Sequence, residues 1–380
     1  ELPLALPVII AGLRTATVWT VGIATLSTPI GATSLGNYIF SGLQTRNYAA
    51  VLVGCVASAG LAMVLDGLVR MVEVGLRTRR RRLVGVATTI TVGLYVYTAV
   101  TLAAPLFSNA DRPVMIGAKG FTEQYILASL LDQWVERETG RPTAQRQSLG
   151  STVAFDALAA GDIDIYVDYS GTVWAHLMGR TTVGGDREAV LTEVRAFLAD
   201  EHDIHVAATL GFENAYAVAI RATQAEAMGL TRISDLVPFG PTLSMAGDFE
   251  FFSRQEWVSI RDTYGLTLSN QRTMDAALMY EAIAEGAVDL ISAYTTDGRI
   301  AAYDLRVLED DRGAIPPYDA VVLVSARLAR EWPDVLAALG RLEGTIDVES
   351  MRSMNLRVDV DGIDPSTVAA AFIATLADTR

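Results

Sequence analysis

Four tyrosines stand where apolar strand-like runs give way to loops. They are Tyr169 in Val-Asp-Tyr-Ser-Gly-Thr, Tyr216 in Glu-Asn-Ala-Tyr-Ala, Tyr294 in Ser-Ala-Tyr-Thr-Thr-Asp-Gly-Arg and Tyr318 in Pro-Pro-Tyr-Asp-Ala. Rings delivered by separate strand ends can wall a cage, and ring faces attract a quaternary ammonium ion without any hydrogen bond. Position singles these four out, because the chain has thirteen tyrosines to choose from. Other chemistries find little support. No nucleophile–base pair is visible, and Gly117-Ala-Lys-Gly120 lacks the Gly-x-x-x-x-Gly-Lys-Ser/Thr frame of a phosphate loop. His176, His202 and His205 lack ligand-like spacing with Cys55 or aspartates, so no metal or other cofactor is expected. Binding is favoured over catalysis.

Charge divides the chain. Residues 1–112 carry nine arginines against Glu1, Asp66, Glu73 and Asp111, a net of +5, which leaves −19 for the remainder of a chain of net charge −14. An acidic surface of that size argues against nucleic-acid binding. The single cysteine, Cys55, lies in an apolar run and can build neither a disulfide framework nor a thiolate metal site. The chain starts at Glu1 directly in apolar sequence, so a preceding N-terminal piece is expected.

Leu83–Phe107 runs for twenty-five residues without a charge, long enough to span a bilayer. Tyr48–Val72 is a second apolar run, with Asp66 and Arg70 near its end, and Leu6–Ile30 is a third that contains Arg14. Between the second and the Leu83 run lies Arg77-Thr-Arg-Arg-Arg-Arg82, which the positive-inside rule places on the cytoplasmic side. The helix from Leu83 then leads outward, with Gly31–Asn47 as an outside loop and everything from Pro113 onward outside. Three spans alone form no transport pathway.

Past residue 113 strands and helices alternate. The expected strands are Val114–Gly117, Ala144–Leu149, Ile163–Tyr169, Tyr216–Ile220, Leu243–Met245, Val288–Ala293 and Ala320–Val324. Helices are expected over Thr122–Thr139, Thr152–Ala160 and Gly171–Leu177. This predicts α/β lobes with mostly parallel sheets and the ligand at the strand ends between them. Asp162, Asp164 and Asp289 read as surface turns and caps. Tyr166 faces away from Tyr169 and packs, while alternation turns Asp168 and Asp319 away from the cage. Trp134 and Trp257 read as core, and Trp174 as a cleft candidate.

Glu1-Leu-Pro-Leu-Ala-Leu-Pro-Val-Ile-Ile-Ala-Gly-Leu-Arg14 resembles the end of the cytoplasmic coupling loop of ABC-importer permeases. The stretch Gly31-Ala-Thr-Ser-Leu-Gly-Asn through Arg46 resembles a later outside loop of permeases for glycine betaine, carnitine and choline. In the remainder, six phrases resemble, in chain order, the substrate-binding component of the same osmoprotectant importers. These are Gly117–Gln124, Leu149–Thr152, Gly161–Thr172, Gly211–Tyr216, Ala293–Arg299 and Pro316–Asp319.

The resemblance implies that residues 1–72 are the C-terminal part of a permease transmembrane domain. A basic cytoplasmic loop at 73–82, a transmembrane helix at 83–107 and an extracytoplasmic two-lobed periplasmic-binding-protein domain of type II at 113–380 would follow. Lobe I would comprise about 113–209 with 320–380, and lobe II about 210–319. It makes Tyr169, Tyr216, Tyr294 and Tyr318 the ammonium cage. Lys119, Gln124, Ser151, Thr152, Thr172 and Thr295 are candidate partners for a ligand carboxylate. Ser151 and Thr152 read equally as the cap of the next helix, whose amides can face an anion. Lys119, the sole lysine, is open to solvent, a salt bridge or the site. Asp297 is expected to cap the helix at Gly298, with Arg299 bridging lobes. The implied function is import of glycine betaine, choline or carnitine across a bacterial inner or cytoplasmic membrane. Partners would be a separate cytoplasmic ATPase and a second permease chain. Ergothioneine as cargo, or a membrane-tethered solute sensor, are the alternative readings.

Overall fold

A computed structural model describes residues 2–28, 32, 34–44, 47–107, 112–180 and 186–378. The chain divides into two compact units. The first is helical: α1 (Leu2–Leu26), α2 (Gly36–Gln44), α3 (Tyr48–Arg77) and α4 (Arg81–Phe107). Three of these, α1, α3 and α4, are long and apolar enough to cross a membrane. Their large apolar side chains face outward, Trp19, Met63 and Tyr95 among them. In water this arrangement would be costly, but it is what a lipid-facing surface requires. Helices α1 and α3 are tied by a bidentate pair in which Arg14 donates to Asp66 at 2.7 and 2.9 Å.

The helices extend further than expected. The segment Gly31–Asn47 contains α2, and the basic connection narrows to residues 78–80 because α3 continues to Arg77. Arg79 adopts a positive φ of 52° at that turn. A Cβ on Gly75 would lie 2.7 Å from the Val84 side chain, so the turn needs glycine there. Residues Glu1, Gly31, Thr33, Thr45 and Arg46 of the permease-like phrases, and Pro29 and Ile30 at the end of the first apolar run, lie outside the described residues.

The second unit is built on two five-stranded sheets. In the first the order is β2-β1-β3-β10-β4, with β1 (Val114–Lys119), β2 (Thr143–Leu149), β3 (Ile165–Tyr169), β4 (His205–Glu213) and β10 (Asp319–Val324). In the second it is β7-β6-β8-β5-β9, with β5 (Tyr216–Arg221), β6 (Ser244–Gly247), β7 (Asn270–Thr273), β8 (Leu290–Tyr294) and β9 (Leu305–Val307). Each sheet with its helices is one lobe, and the chain crosses between lobes twice, at β4–β5 and just before β10.

The expectation of mostly parallel sheets is corrected. Strands β1, β2 and β3 pair in parallel, as do β6, β7 and β8, but β10 runs antiparallel to β3 and β4, and β5 antiparallel to β8 and β9. The crossovers are the physical reason. A chain arriving from the other lobe enters its new sheet at the cleft edge and must run away from it, against strands that run toward it. The lobe boundary also moves to Glu213, because β4 stays paired to β10 through Asp319 opposite Glu213.

One apolar cluster runs through both sheets and each sheet carries a smaller separate one, and every residue of β3 and β10 is buried. Trp134 is core, its indole donating to the Ala338 carbonyl at 2.8 Å. Trp257 is buried against Phe251 and Phe252. Asp164 is not a surface cap. It is fully buried, accepts the Met115 amide at 2.9 Å, and pairs with Arg327. A turn aspartate is drawn inside here because it closes β1 onto the start of the helix after β10. Asp164→Ala should strand Arg327 and the Met115 amide, costing on the order of 3 kcal/mol. Thermal unfolding should shift down by roughly 6–12 °C; a shift under about 2 °C would show that the pair contributes little.

Candidate functional site

The antiparallel register places β5 and β8 so that Tyr216 lies directly opposite Tyr294. Their ring centroids are 5.1 Å apart. Tyr318, two residues before β10 pairs with the end of β3, meets the Tyr216 ring edge-on at 6.4 Å. From the first lobe, Phe121 follows β1 and stacks on Tyr294 at 5.4 Å and 8°, and on Tyr169 at 6.4 Å and 28°. A continuous run of rings thus crosses the cleft in the order Tyr169, Phe121, Tyr294, Tyr216, Tyr318. The four tyrosines picked from the sequence meet in one cluster. Phe121 was missed, although it sits within the quoted Gly117–Gln124 phrase.

Glycine sets the position of one ring. A Cβ on Gly171 would fall 2.4–2.7 Å from the Tyr318 ring, so only glycine admits that ring. A second glycine sets the approach of the lobes. A Cβ on Gly298 would lie 2.7 Å from the backbone of Leu356, on the helix Val348–Asp359 of the first lobe.

The tyrosine hydroxyls end on carboxylates. Tyr169 donates to Glu123 at 2.5 Å, Tyr294 to Asp248 at 2.7 Å, and Tyr318 to Glu256. Glu123 also accepts from Asn214 at 2.9 Å, Thr296 at 2.5 Å and Asn355 at 3.0 Å, so one buried carboxyl ties both lobes and the hinge. Burial pushes its pKa up, against the four hydrogen bonds that favour the ionised form.

The polar candidates are more dispersed. Lys119 is buried in a salt bridge with Asp168, its ammonium 5.3 Å from the centroid of the Tyr169 ring. Gln124 is buried and donates to the Val167 carbonyl at 3.0 Å and the Tyr169 hydroxyl at 3.2 Å. Thr295 uses its hydroxyl to accept the Ala215 amide at 3.0 Å, bracing β8 against the hinge. Thr172 is buried at the start of the turn Thr172–Leu177, whereas Thr152 is exposed, 3.5 Å from the His176 ring. Asp319 pairs with Arg187 and Asp168 with Lys119. Trp174 is buried, and its indole Nε1 has no hydrogen-bond partner among the described residues.

Ser151 and Thr152 do not cap the helix Ser151–Ala159 with their side chains; Gly150 is the cap residue. The anion expected at this helix start is a carboxylate from the other lobe. Glu250 accepts the Ser151 amide at 3.2 Å and its hydroxyl at 2.9 Å. Arg254 pairs with the same carboxylate and donates to the Ser151 hydroxyl at 2.8 Å. Its guanidinium lies 5.7 Å from the Tyr216 ring centroid, and its Nε and Nη1 have no hydrogen-bond partner among the described residues. The helix is Arg299–Ala302 with Gly298 at its cap position, so Asp297 is not the cap residue. From one residue before the cap it accepts the Arg299 amide at 2.9 Å, and Arg299 reaches Asp359 of the first lobe at 3.7 Å.

Burial raises the Glu250 pKa, but the charge of Arg254 and the Ser151 bonds outweigh it and bring it down to about 2. A carboxylate depressed in the folded state stabilises above its ordinary value of 4.5, and that contribution is lost as pH falls toward about 2. The inter-lobe contact should therefore loosen in that window. With one spin label per lobe, the wild-type inter-lobe distance should lengthen on acidification from pH 5 to 3, and Glu250→Gln should show no step there. An identical acid response in both would remove Glu250 from the closure.

Residues 112–375 match the family model described as the substrate binding domain of ABC-type glycine betaine transport system. Over 387 aligned residues the chain is 28% identical to the ergothioneine transport permease/ergothioneine binding protein EgtU of Helicobacter pylori (strain G27), covering 98% of this chain and 69% of that protein. It is also 45% identical over 73 residues to the choline transport system permease protein OpuBB of Bacillus subtilis (strain 168), covering 19% of this chain and 34% of that protein. A crystal structure described as a glycine betaine/carnitine/choline ABC transporter superposes with a TM-score of 0.58 at 29% identity, covering 69% of this chain and 98% of that one. The chain belongs to the family of substrate-binding domains of ABC-type glycine betaine transport systems, here fused to a permease-like helical segment.

Proposed function

We propose that the second unit captures a trimethylammonium solute outside the membrane and delivers it to a channel to which the first unit contributes. The observation that supports this best is the run of five rings across the cleft, supplied by both lobes and the hinge. Each ring within about 6 Å of the cation contributes roughly 0.5–2 kcal/mol once water is excluded. Because the walls come from two lobes, the cage is complete only when they close, and the ligand draws the equilibrium toward closure.

For the zwitterions of this class, Arg254 is the carboxylate partner best placed beside the cage. It is buried, it lies over Tyr216, and two of its nitrogens have hydrogen-bonding capacity to offer. Lys119, Gln124, Ser151 and Thr295 then support the site from behind, since their polar atoms already have protein partners. Glycine betaine and carnitine fit this description; choline, which has no carboxylate, would rely on the rings alone. The full-length likeness to an ergothioneine permease/binding protein favours a second reading, in which the cargo is a bulkier betaine.

On this reading α1, α3 and α4 cross the bacterial inner or cytoplasmic membrane, with residues 113–380 outside and the arginines at 77–82 inside. A separate cytoplasmic ATPase drives import, the permease part pairs with a second copy, and the chain performs no catalysis. The chain in detergent micelles should be titrated calorimetrically with glycine betaine, choline, carnitine and ergothioneine. At least one should bind in the micromolar range, and Tyr294→Ala should weaken it at least about tenfold. Gly171→Ala, which displaces Tyr318, should weaken it several-fold. Full affinity in both variants would place the ligand elsewhere.

A further inference from the structure

Among the cage tyrosines, three end their hydroxyls on carboxylates, and the three carboxylates come from different places in the fold. Glu123 lies in the first turn of the helix Thr122–Thr139, Asp248 just past β6, and Glu256 in the helix Gln255–Tyr264. All three are buried. Glu123 takes its four hydrogen bonds from neutral groups. Asp248 is held by the amides of Glu250 at 2.8 Å and Phe251 at 3.0 Å besides Tyr294. Among the described residues neither forms an ion pair, whereas Glu256 lies 3.6 Å from Arg254. Buried carboxylates without a counter-charge are costly, so an arrangement that keeps two of them directly behind aromatic rings calls for a cation to complete it.

Resting on the cage reading above, we propose that Glu123, Asp248 and Glu256 set the charge selectivity of the site through the tyrosine hydroxyls. A phenol that donates to a carboxylate carries more negative charge on its oxygen and ring, and this deepens the attraction of the ring face for a cation. The carboxylate adds its own field through a poorly screening interior. These three are positioning residues, since each acts through a tyrosine. Their effect is specific to charge: they stabilise a bound ammonium and do nothing for an uncharged group of the same shape. A tert-butyl group is that shape.

The test uses the full chain in detergent micelles and two pairs of probes. Choline is paired with 3,3-dimethyl-1-butanol, and glycine betaine with 3,3-dimethylbutanoate; in each pair a carbon replaces the quaternary nitrogen. Asp248→Asn is the first variant, because it keeps the shape and an acceptor oxygen for Tyr294. Tyr294→Phe is the second, keeping the ring and removing the link. A unit charge roughly 8–10 Å from the cation at an effective dielectric near 20 corresponds to a change on the order of tenfold in affinity. The ammonium probe that binds the wild-type chain should therefore weaken about tenfold in Asp248→Asn and by less, but measurably, in Tyr294→Phe, which keeps the carboxylate's charge. The affinity of its carbon isostere, read by competition, should stay within about twofold in both. Equal loss for ammonium and isostere would overturn the inference and leave the carboxylates a purely structural role. Unchanged ammonium binding in both variants would overturn it as well. If none of choline, glycine betaine, carnitine and ergothioneine binds the wild-type chain, the cage reading itself falls, and this inference with it.

Discussion

The pairing of Tyr216 with Tyr294 across two antiparallel strands is the constraint on which the rest of the site depends. Both rings lie at the cleft edge because β5 starts there and β8 ends there. A parallel pair would put the start of one strand beside the start of the other and carry one ring to the far end of the sheet. The same logic, with β10 running against β3, brings Tyr318 to Tyr169's end of the first sheet. The two chain crossings between lobes therefore do more than connect them. They reverse the strand direction that makes ring-bearing ends converge.

Closure of the lobes rests on polar contacts besides the stack of Phe121 on Tyr294. Glu123 gathers Tyr169, Asn214, Thr296 and Asn355; Glu250 seats on the start of the helix Ser151–Ala159; Arg299 reaches Asp359. Such contacts contribute modestly to net stability, since desolvation offsets much of their attraction. They are well suited to a cleft that must open and close. Their geometry is demanding, so the closed state is specific, yet its advantage over the open state stays small enough for a ligand to decide. Gly298 and Gly171 complete this picture as positions where closeness of backbone or ring, and no side-chain chemistry, fixes the residue.

Much of this was legible in the sequence. Strand ends and helix starts of the first lobe fall within a few residues of the expected ones, since runs such as Ile-Tyr-Val-Asp-Tyr and Asp-Ala-Val-Val-Leu-Val announce buried strands. The strand β7 was not legible, because Asn-Gln-Arg-Thr is exposed at a sheet edge and carries no apolar pattern. The strand β4 was obscured by Gly211, which takes a φ of 110° in its middle. Strand direction was out of reach, because periodicity reports which face is buried and not which way the neighbour runs. The Glu250–Arg254 pair is local, at i,i+4. The partners of Glu123, however, lie some forty to more than two hundred residues away, and Ser151 lies about a hundred residues from Glu250 and Arg254, so no local spacing betrays them. Even Asp164, read as a surface cap from its turn-like neighbours, is settled by Arg327, far along the chain.

The most direct measurement is the structure of the chain with the tightest-binding of the trimethylammonium solutes. The account predicts the quaternary nitrogen enclosed between the lobes, with the ring centroids of Tyr169, Tyr216, Tyr294 and Tyr318 within about 6 Å of it. A ligand bound outside the cleft, or inside it with its ammonium turned from these rings toward water, would contradict the account.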